Sequence, residues 1–296
     1  MLAISPISAF DDNYIWLLRQ EDSDQALVVD PGDEEPVIER LEDEGLRLAA
    51  ILLTHHHQDH TGGVADLLVR WPQARVLGPR DPRIPAVTDP VGEGDSIIPP
   101  GMEASFRVLS VPGHTSTHIA YLGAGALFCG DTLFTAGCGR VFDGTFDQLA
   151  ASLKRIASLP PETLVYCAHE YTLANLGFAA WVEPDSLALA QRTARARKLR
   201  AAGRPTVPST LAEELATNPF LRTGVPTVRA AAEGFAGSTL TRGEQVFAAL
   251  RHWKDSRTPF GHAIRVTGGS VKAHNNLGVA LAVRGRIQEA EDQYRS

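Results

Sequence analysis

Three cysteines in 296 residues are too few, and too odd in number, to build a disulfide framework. Such scarcity fits a reducing compartment, so a cytoplasmic protein is expected. Long apolar runs are missing too: no stretch approaches the ~18 residues of a membrane span. The opening MLAISPISAF lacks a basic start and a long apolar core, and Asp11 and Asp12 follow at once, so it does not read as a signal peptide. Positive charge is in deficit, with 28 Lys and Arg against 35 Asp and Glu and a net charge of −7. That balance argues against a general nucleic-acid binder. What remains is an ordinary globular composition, 44% hydrophobic and 21% charged, long enough for one large domain or two moderate ones.

The chain divides by texture. Up to about residue 170, short β-rich runs bounded by Gly, Pro or Asp alternate with helical patterns. The runs are NYIWLLR (13–19), ALVVD (26–30), AAILLT (49–54), ARVLG (74–78), SFRVLSV (105–111), HIAYLG (118–123), ALFCGD (126–131) and TLVYCAH (163–169). Between them EEPVIERLEDEG, GGVADLLVRW and TFDQLAASLKRIASL place apolar residues at helical spacing. From about 171 to 260 the pattern is helical, including EPDSLALAQRTARARKLRAAG, a short STLAEEL helix with Ser209 and Thr210 as N-cap candidates, and TRGEQVFAALRHWKD. The expected organisation is an α/β catalytic domain over 1–170, a smaller helical domain over 171–260, and a linker with a short helical tail over 261–296.

One stretch is densely populated. LLTHHHQDHTGG (52–63) holds four histidines and an aspartate within six positions. It follows an apolar strand and precedes a helical pattern, so it is a strand-to-helix loop with side chains free to project. Alternate residues of an extended loop point the same way, so His55 and His57 can converge. Asp59 and His60 come round the turn toward a second point. Imidazole nitrogen and carboxylate oxygen suit zinc, iron or manganese. A solvated polar loop is the bland alternative for any one histidine. It fails for H-x-H-x-D-H as a unit, because four such groups repel without a metal or carboxylate among them.

Further ligands appear in matching contexts. His114 follows a strand and a Pro-Gly turn in VPGHTSTH, Asp131 ends a strand after a glycine in LFCGDT, and His169 ends another in LVYCAHE. Seven of the ten histidines lie in the first 170 residues, all in these loops. Asp131 alone would be an ordinary turn aspartate. It becomes a ligand candidate because two metals held close together usually share a carboxylate. His56 should point away from its neighbours, and His118, at a strand start, is better suited to a supporting hydrogen bond. Cys129 and Cys167 fall inside apolar strands and read as small buried residues, while Cys138 sits in a loop.

These motifs resemble the metallo-β-lactamase superfamily. More narrowly, THHHQDHTGG, VPGHTSTH, GDTLFTAGCGR, CAHEYTLANL and VPSTLAEELATNPFLR together resemble the hydroxyacylglutathione hydrolase (glyoxalase II) family, over about residues 1–260. The resemblance implies an αββα sandwich with two metals at one edge of facing sheets, followed by a helical domain that helps bind glutathione. It implies that His55, His57 and His114 hold the first metal, that Asp59, His60 and His169 hold the second, and that Asp131 bridges them. It also implies hydrolysis of S-(2-hydroxyacyl)glutathione, with D-lactoyl as the acyl group, by a metal-bridging hydroxide that Asp59 helps orient. Arg140, Tyr171 and the Arg251–Lys254 pair would bind the glutathione part. The cofactors would be two divalent ions per chain, zinc first, with iron or manganese also suited. Phe142 departs from the tyrosine of some members, and Ser116–Thr117 stand where many carry glycine.

The implied chemistry is physically consistent. A thioester needs a strong nucleophile at neutral pH and a place for the oxyanion, and a dinuclear site supplies both. Glutathione carries two carboxylates, which Arg and Lys bind well. The same metal motif also serves lactonases, RNA-processing enzymes and single-iron persulfide dioxygenases, which a thioester assay and metal analysis would separate. The last segment, KAHNNLGVALAVRGRIQEAEDQYRS (272–296), resembles one tetratricopeptide repeat and would form two short helices that turn at Gly285. Read alone it suggests a peptide-binding scaffold, but one repeat cannot bury its own apolar face.

Overall fold

The computed structural model describes the backbone of residues 2–266 and the side chains of residues 2–256; the hairpin expected over 272–296 lies outside them. The described residues form two compact units, one up to Arg229 and one beginning at Ala230.

The first unit is built on two six-stranded sheets. In the first sheet β1 (Leu2–Ala9), β2 (Asn13–Gln20), β3 (Gln25–Val29), β4 (Arg47–Leu52), β5 (Arg75–Pro79) and β6 (Asp89–Val91) lie in sequence order. β1, β2 and β3 pair antiparallel, and β3 to β6 pair parallel. The second sheet runs β14-β13-β10-β9-β8-β7, made of β7 (Ser96–Ile97), β8 (Phe106–Ser110), β9 (Ile119–Gly123), β10 (Ala126–Gly130), β13 (Leu164–Cys167) and β14 (Ser209–Thr210). A small hairpin, β11 (Leu133–Phe134) and β12 (Gly137–Cys138), follows β10.

Helices cover the outer faces. α1 (Glu35–Asp43) and α3 (Val64–Arg70) bury Val37, Leu41, Val64 and Leu67 against Ile15, Leu17, Val28 and Ile51 of the first sheet. α4 (Phe146–Ala157) buries Leu149, Leu153 and Ile156, and a capping box between Thr145 and Gln148 fixes its start. The inner faces meet through Trp16, whose indole donates to Cys167 O at 3.0 Å, and Tyr121, whose hydroxyl donates to Leu53 O at 2.9 Å. The layers are helix, sheet, sheet, helix, the sandwich that the resemblance implies.

All eight strands expected from the sequence are present. β1 was not foreseen, because Pro6 interrupts a mixed-polarity stretch; it is tolerated since β1 is a sheet edge, where a missing N–H leaves no ladder bond unmade. Beyond residue 171 lie α5 (Thr172–Val182), α6 (Leu187–Ala201), α7 (Leu211–Thr217), a 3₁₀ turn (Pro219–Leu221), α8 (Pro226–Ala236) and α9 (Gly243–Val266). One strand, β14, persists there and extends the second sheet. Of the two N-cap candidates, Thr210 caps α7 by accepting from Glu213 N, whereas Ser209 lies in β14 and donates its hydroxyl to Glu214. α5 and α6 pack on the hairpin through Ala136, Leu176, Ala179, Leu189 and Ala196. In the second unit, α9 continues past residue 261 to Val266, where the composition suggests linker. No helix among the described residues is long and apolar enough to cross a membrane.

Candidate metal centre

Four strands deliver the candidate ligands at their C-terminal ends. β4 leads into His55, His57, Asp59 and His60, β8 into His114, β10 into Asp131 and β13 into His169. Asp59 and His60 ride on a single helical turn, α2 (Gln58–Thr61), before the helix expected at Gly62. Close backbone approach makes room for them. Gly130 has φ +46°, and a Cβ there would stand 2.3 Å from Thr54 Oγ1; at Gly139 it would stand 2.0 Å from Asp131 O.

Two triads of donor atoms result. His57 Nδ1 lies 3.1 Å from His55 Nε2 and 3.0 Å from His114 Nε2. Asp59 Oδ2 lies 3.5 Å from His60 Nε2 and 3.4 Å from His169 Nε2. Asp131 stands between them: Oδ1 is 3.4 Å from both His60 Nε2 and His169 Nε2, and Oδ2 is 3.5 Å from His114 Nε2. Ligands ~2.0–2.1 Å from a tetrahedral zinc are themselves ~3.3–3.4 Å apart, so each triad has the span of a metal shell. His60 Nε2 and Asp131 Oδ1 are buried with no hydrogen-bond partner, as expected of atoms reserved for a cation. The same groups can each converge one ligand atom on a point.

At His55, His114 and His169 the opposite ring nitrogen is hydrogen-bonded, which fixes the lone pair inward. His114 Nδ1 donates to Arg140 O at 2.8 Å, and His169 Nδ1 to Asp12 Oδ1 at 2.8 Å. His60 Nδ1 lies 3.1 Å from Asp30 Oδ2. Thr54 gives its hydroxyl proton to Asp30 at 2.7 Å, so its oxygen is left to accept from His55 Nδ1 at 3.0 Å. His56 turns away, toward Asp81. His118 stacks on His55 at 4.5 Å, and its Nε2 accepts from Asp131 N.

Charge is distributed unevenly. Burial pushes His57 down to about 4, helped by His114 and His56, and drives His55 well below the usual histidine range. Burial lowers His114 also, against the pull of Asp131. At His60 and His169 burial again disfavours the charge, but Asp131 and the other nearby carboxylates outweigh it and raise both. Asp131, though buried, is held well below the usual carboxylate range by His169 and His60. The first triad therefore offers three neutral lone pairs, and the second sits among carboxylates. The thiols take no part: all three are buried and unbridged, and burial pushes Cys167 up to about 11.

Known proteins match the chain along this same architecture. The model of the metallo-β-lactamase superfamily matches residues 9–169, and that of the hydroxyacylglutathione hydrolase C-terminus matches residues 170–257. The hydroxyacylglutathione hydrolase of Alkalilimnicola ehrlichii is 56% identical over 255 residues, covering 86% of this chain and 99% of that protein. That of Halorhodospira halophila is 53% identical over 256 residues, covering 86% of this chain and 100% of that protein. This chain belongs to the hydroxyacylglutathione hydrolase family. Among solved structures, ETHE1 from Myxococcus xanthus superposes with a TM-score of 0.58 at 27% identity, over 86% of this chain and 98% of that one. TTHA1623 in a di-iron-bound form superposes with a TM-score of 0.54 at 28% identity, over 73% of this chain and 100% of that one.

The substrate residues that the hydroxyacylglutathione hydrolase resemblance implies fall in two places. Arg140 is exposed beside the first triad and gives its carbonyl to His114. Tyr171 stacks on His169, with ring centroids 4.7 Å apart and planes 5° from parallel, and burial pushes its hydroxyl up to about 12. Arg251 and Lys254 belong to α9 in the second unit. They are buried, at 2% and 7% exposure, and Arg251 donates to Asp255, so neither is on a solvated helix face. Phe142 is 63% exposed, with its ring edge-on to His57 and His114. Ser116 N and the Thr117 hydroxyl donate to Asp143 and Asp81.

Four supporting residues went unread in the sequence: Asp12, Asn13, Asp30 and Thr54. The signal for Asp30 was present, since it follows β3 as Asp131 follows β10. Its backbone φ of +54°, uncommon outside glycine, marks the same tight strand-end geometry.

Proposed function

We infer that this protein hydrolyses glutathione thioesters, releasing glutathione and a 2-hydroxy acid, with S-D-lactoylglutathione as the substrate. It is a thioester hydrolase of the glyoxalase II class and binds divalent metal. The observation that carries this reading is Asp131, with one oxygen toward each donor triad, in a chain matched continuously by the two family models from residue 9 to 257. We propose His55, His57 and His114 as ligands of one ion, Asp59, His60 and His169 as ligands of the other, and Asp131 as the bridge. We propose zinc as the metal, a soft-to-borderline ion suited to five imidazoles and two carboxylates. Two such ions would supply Lewis acidity at the thioester carbonyl and a hydroxide near neutral pH.

The protein's own groups supply orientation. Asp59 keeps 42% of its side-chain exposure against 10% for Asp131, so it is the carboxylate more open to arriving water. In this proposal it aligns the attacking water through its carboxylate. The thiolate leaving group has a solution pKa near ~8.5 and needs no proton donor to depart. Arg140, Tyr171, Arg251 and Lys254 hold the glutathione part, their cations meeting its two carboxylates.

The test is steady-state hydrolysis of S-D-lactoylglutathione beside a simple acyl thioester without glutathione. The glutathione substrate should win by well over tenfold in kcat/KM, and equal turnover would refute the assignment. Removing Arg251 and Lys254 together should raise KM by about 10- to 100-fold or more, since each charged hydrogen bond lost is worth about 1.5–3 kcal/mol, with kcat within a few-fold. Lys254→Ala alone leaves the Arg251–Asp255 pair intact and should show part of that rise. A rise of the same size on the thioester without glutathione would exclude both residues from carboxylate binding.

A further inference from the structure

The two triads differ in what stands behind them. Behind the first are neutral oxygens, the Thr54 hydroxyl at His55 and the Arg140 carbonyl at His114. Behind the second are carboxylates, Asp12 at His169 and Asp30 at His60. Asp12 and Asn13 are consecutive, and each reaches a different ligand of the second triad. Asp12 Oδ1 accepts from His169 Nδ1 at 2.8 Å, while Asn13 Nδ2 lies 3.2 Å from Asp59 Oδ2 and 3.3 Å from Asp59 O. The backbone holds the pair in register. Tyr14 N donates to Ala168 O at 2.7 Å, Glu170 N donates to Asp12 O at 2.9 Å, and Asn13 forms an antiparallel bridge with His169. Tyr14 then donates its hydroxyl to Glu170 at 2.8 Å, and Glu170 accepts from Thr206 N at 2.8 Å. The entry of β2 is thus fastened to the exit of β13 on both sides of the Asp12–His169 contact.

We propose that Asp12 and Asn13 are positioning residues that clamp the second triad alone, Asp12 by fixing and strengthening His169 as a ligand and Asn13 by fixing the direction of Asp59. This rests on the two-ion reading above. A carboxylate behind a ligating imidazole fixes its tautomer and raises its basicity, and losing such a partner typically costs about 10- to 100-fold in metal affinity. The first triad receives nothing from this dipeptide, so its affinity should be untouched. The clamp thereby makes the two sites separately tunable, and the edge that holds the second ion is a β-strand start far along the sequence from the histidine motif.

The test uses the full chain, stripped by chelator and titrated with zinc against a chromophoric competitor. Wild type should bind two ions. Asp12→Ala should keep the first affinity within about 3-fold, the scatter of independent sites, and weaken the second by about 10- to 100-fold. Excess zinc should restore its kcat. Asp12→Asn keeps an acceptor for His169 Nδ1 and should fall between, and Asn13→Ala should weaken the second ion without touching the first. Wild type with two ions and Asp12→Ala unchanged would overturn the clamp alone, as would an equal loss at both sites. Wild type with a single ion would overturn the two-ion reading and the clamp with it.

Discussion

Asp131→Asn should leave a folded protein that holds one metal ion in place of two and has lost most of its activity. The substitution keeps the side chain's size and one oxygen but removes the charge that both triads share. Asp131 is buried, and its two oxygens lie 3.4–3.5 Å from His60, His169 and His114. An amide offers one weak acceptor, and its NH2 faces whichever triad the oxygen does not. In the proposed mechanism the second ion contributes several kcal/mol of transition-state stabilisation. At about 1.4 kcal/mol per decade, the loss should be on the order of 100- to 1000-fold in kcat/KM. Metal analysis and steady-state kinetics on the same sample check it. A variant that keeps two ions and near-normal turnover would remove Asp131 from the bridge.

Glu214→Ala should destabilise the first unit more than any surface change. Glu214 is fully buried on α7 and accepts from Ala136 N at 2.8 Å, Ser209 Oγ at 2.6 Å, Asn218 Nδ2 at 3.1 Å and the guanidinium of Arg192. Asn218 in turn donates to Gly137 O and Phe134 O, so the network pins the β11–β12 hairpin that leads to Gly139 and Arg140. Ala136 sits at φ +55° and depends on that support. Alanine would take the nearer carboxylate from the buried Arg192, leaving it Glu213 at 3.7 Å and the Thr217 hydroxyl, and would leave buried donors unmet. Breaking a buried ion pair from one side costs about 3–5 kcal/mol. Against a total stability of roughly 5–15 kcal/mol that is a fifth or more, and the melting temperature should fall on the order of 10 °C. Glu214→Gln keeps acceptors for the backbone N–H and should lose less. A melting point within 2 °C of wild type, in a scan with ~1 °C precision, would contradict this account.

The parts of the fold that announced themselves were those with a clear period. β2, β4, β8 and β10 are short, apolar and sharply bounded, and α4 carries both a helical stripe and its cap. α5 was hidden because TLANLGFAAWV is apolar nearly all round, so no face stands out. β14 is two residues long and exists only because β13 offers an edge. The candidate ligand cluster stood out because histidine is costly to crowd without a cation. Its supports were not, because one aspartate or asparagine near a turn has many ordinary uses. Asp12 meets His169 across 157 positions, which no local pattern can show. Likewise the STLAEE…NPF segment was recognisable, while its physical task, holding the hairpin through Glu214 and Asn218, emerges only from the packing.

The dinuclear site is best tested by metal content and turnover of S-D-lactoylglutathione measured on one preparation as zinc is added back to stripped protein. The titration should end at two ions per chain, with full activity reached only as the second site fills. Full activity in a protein that binds no more than one ion would contradict it.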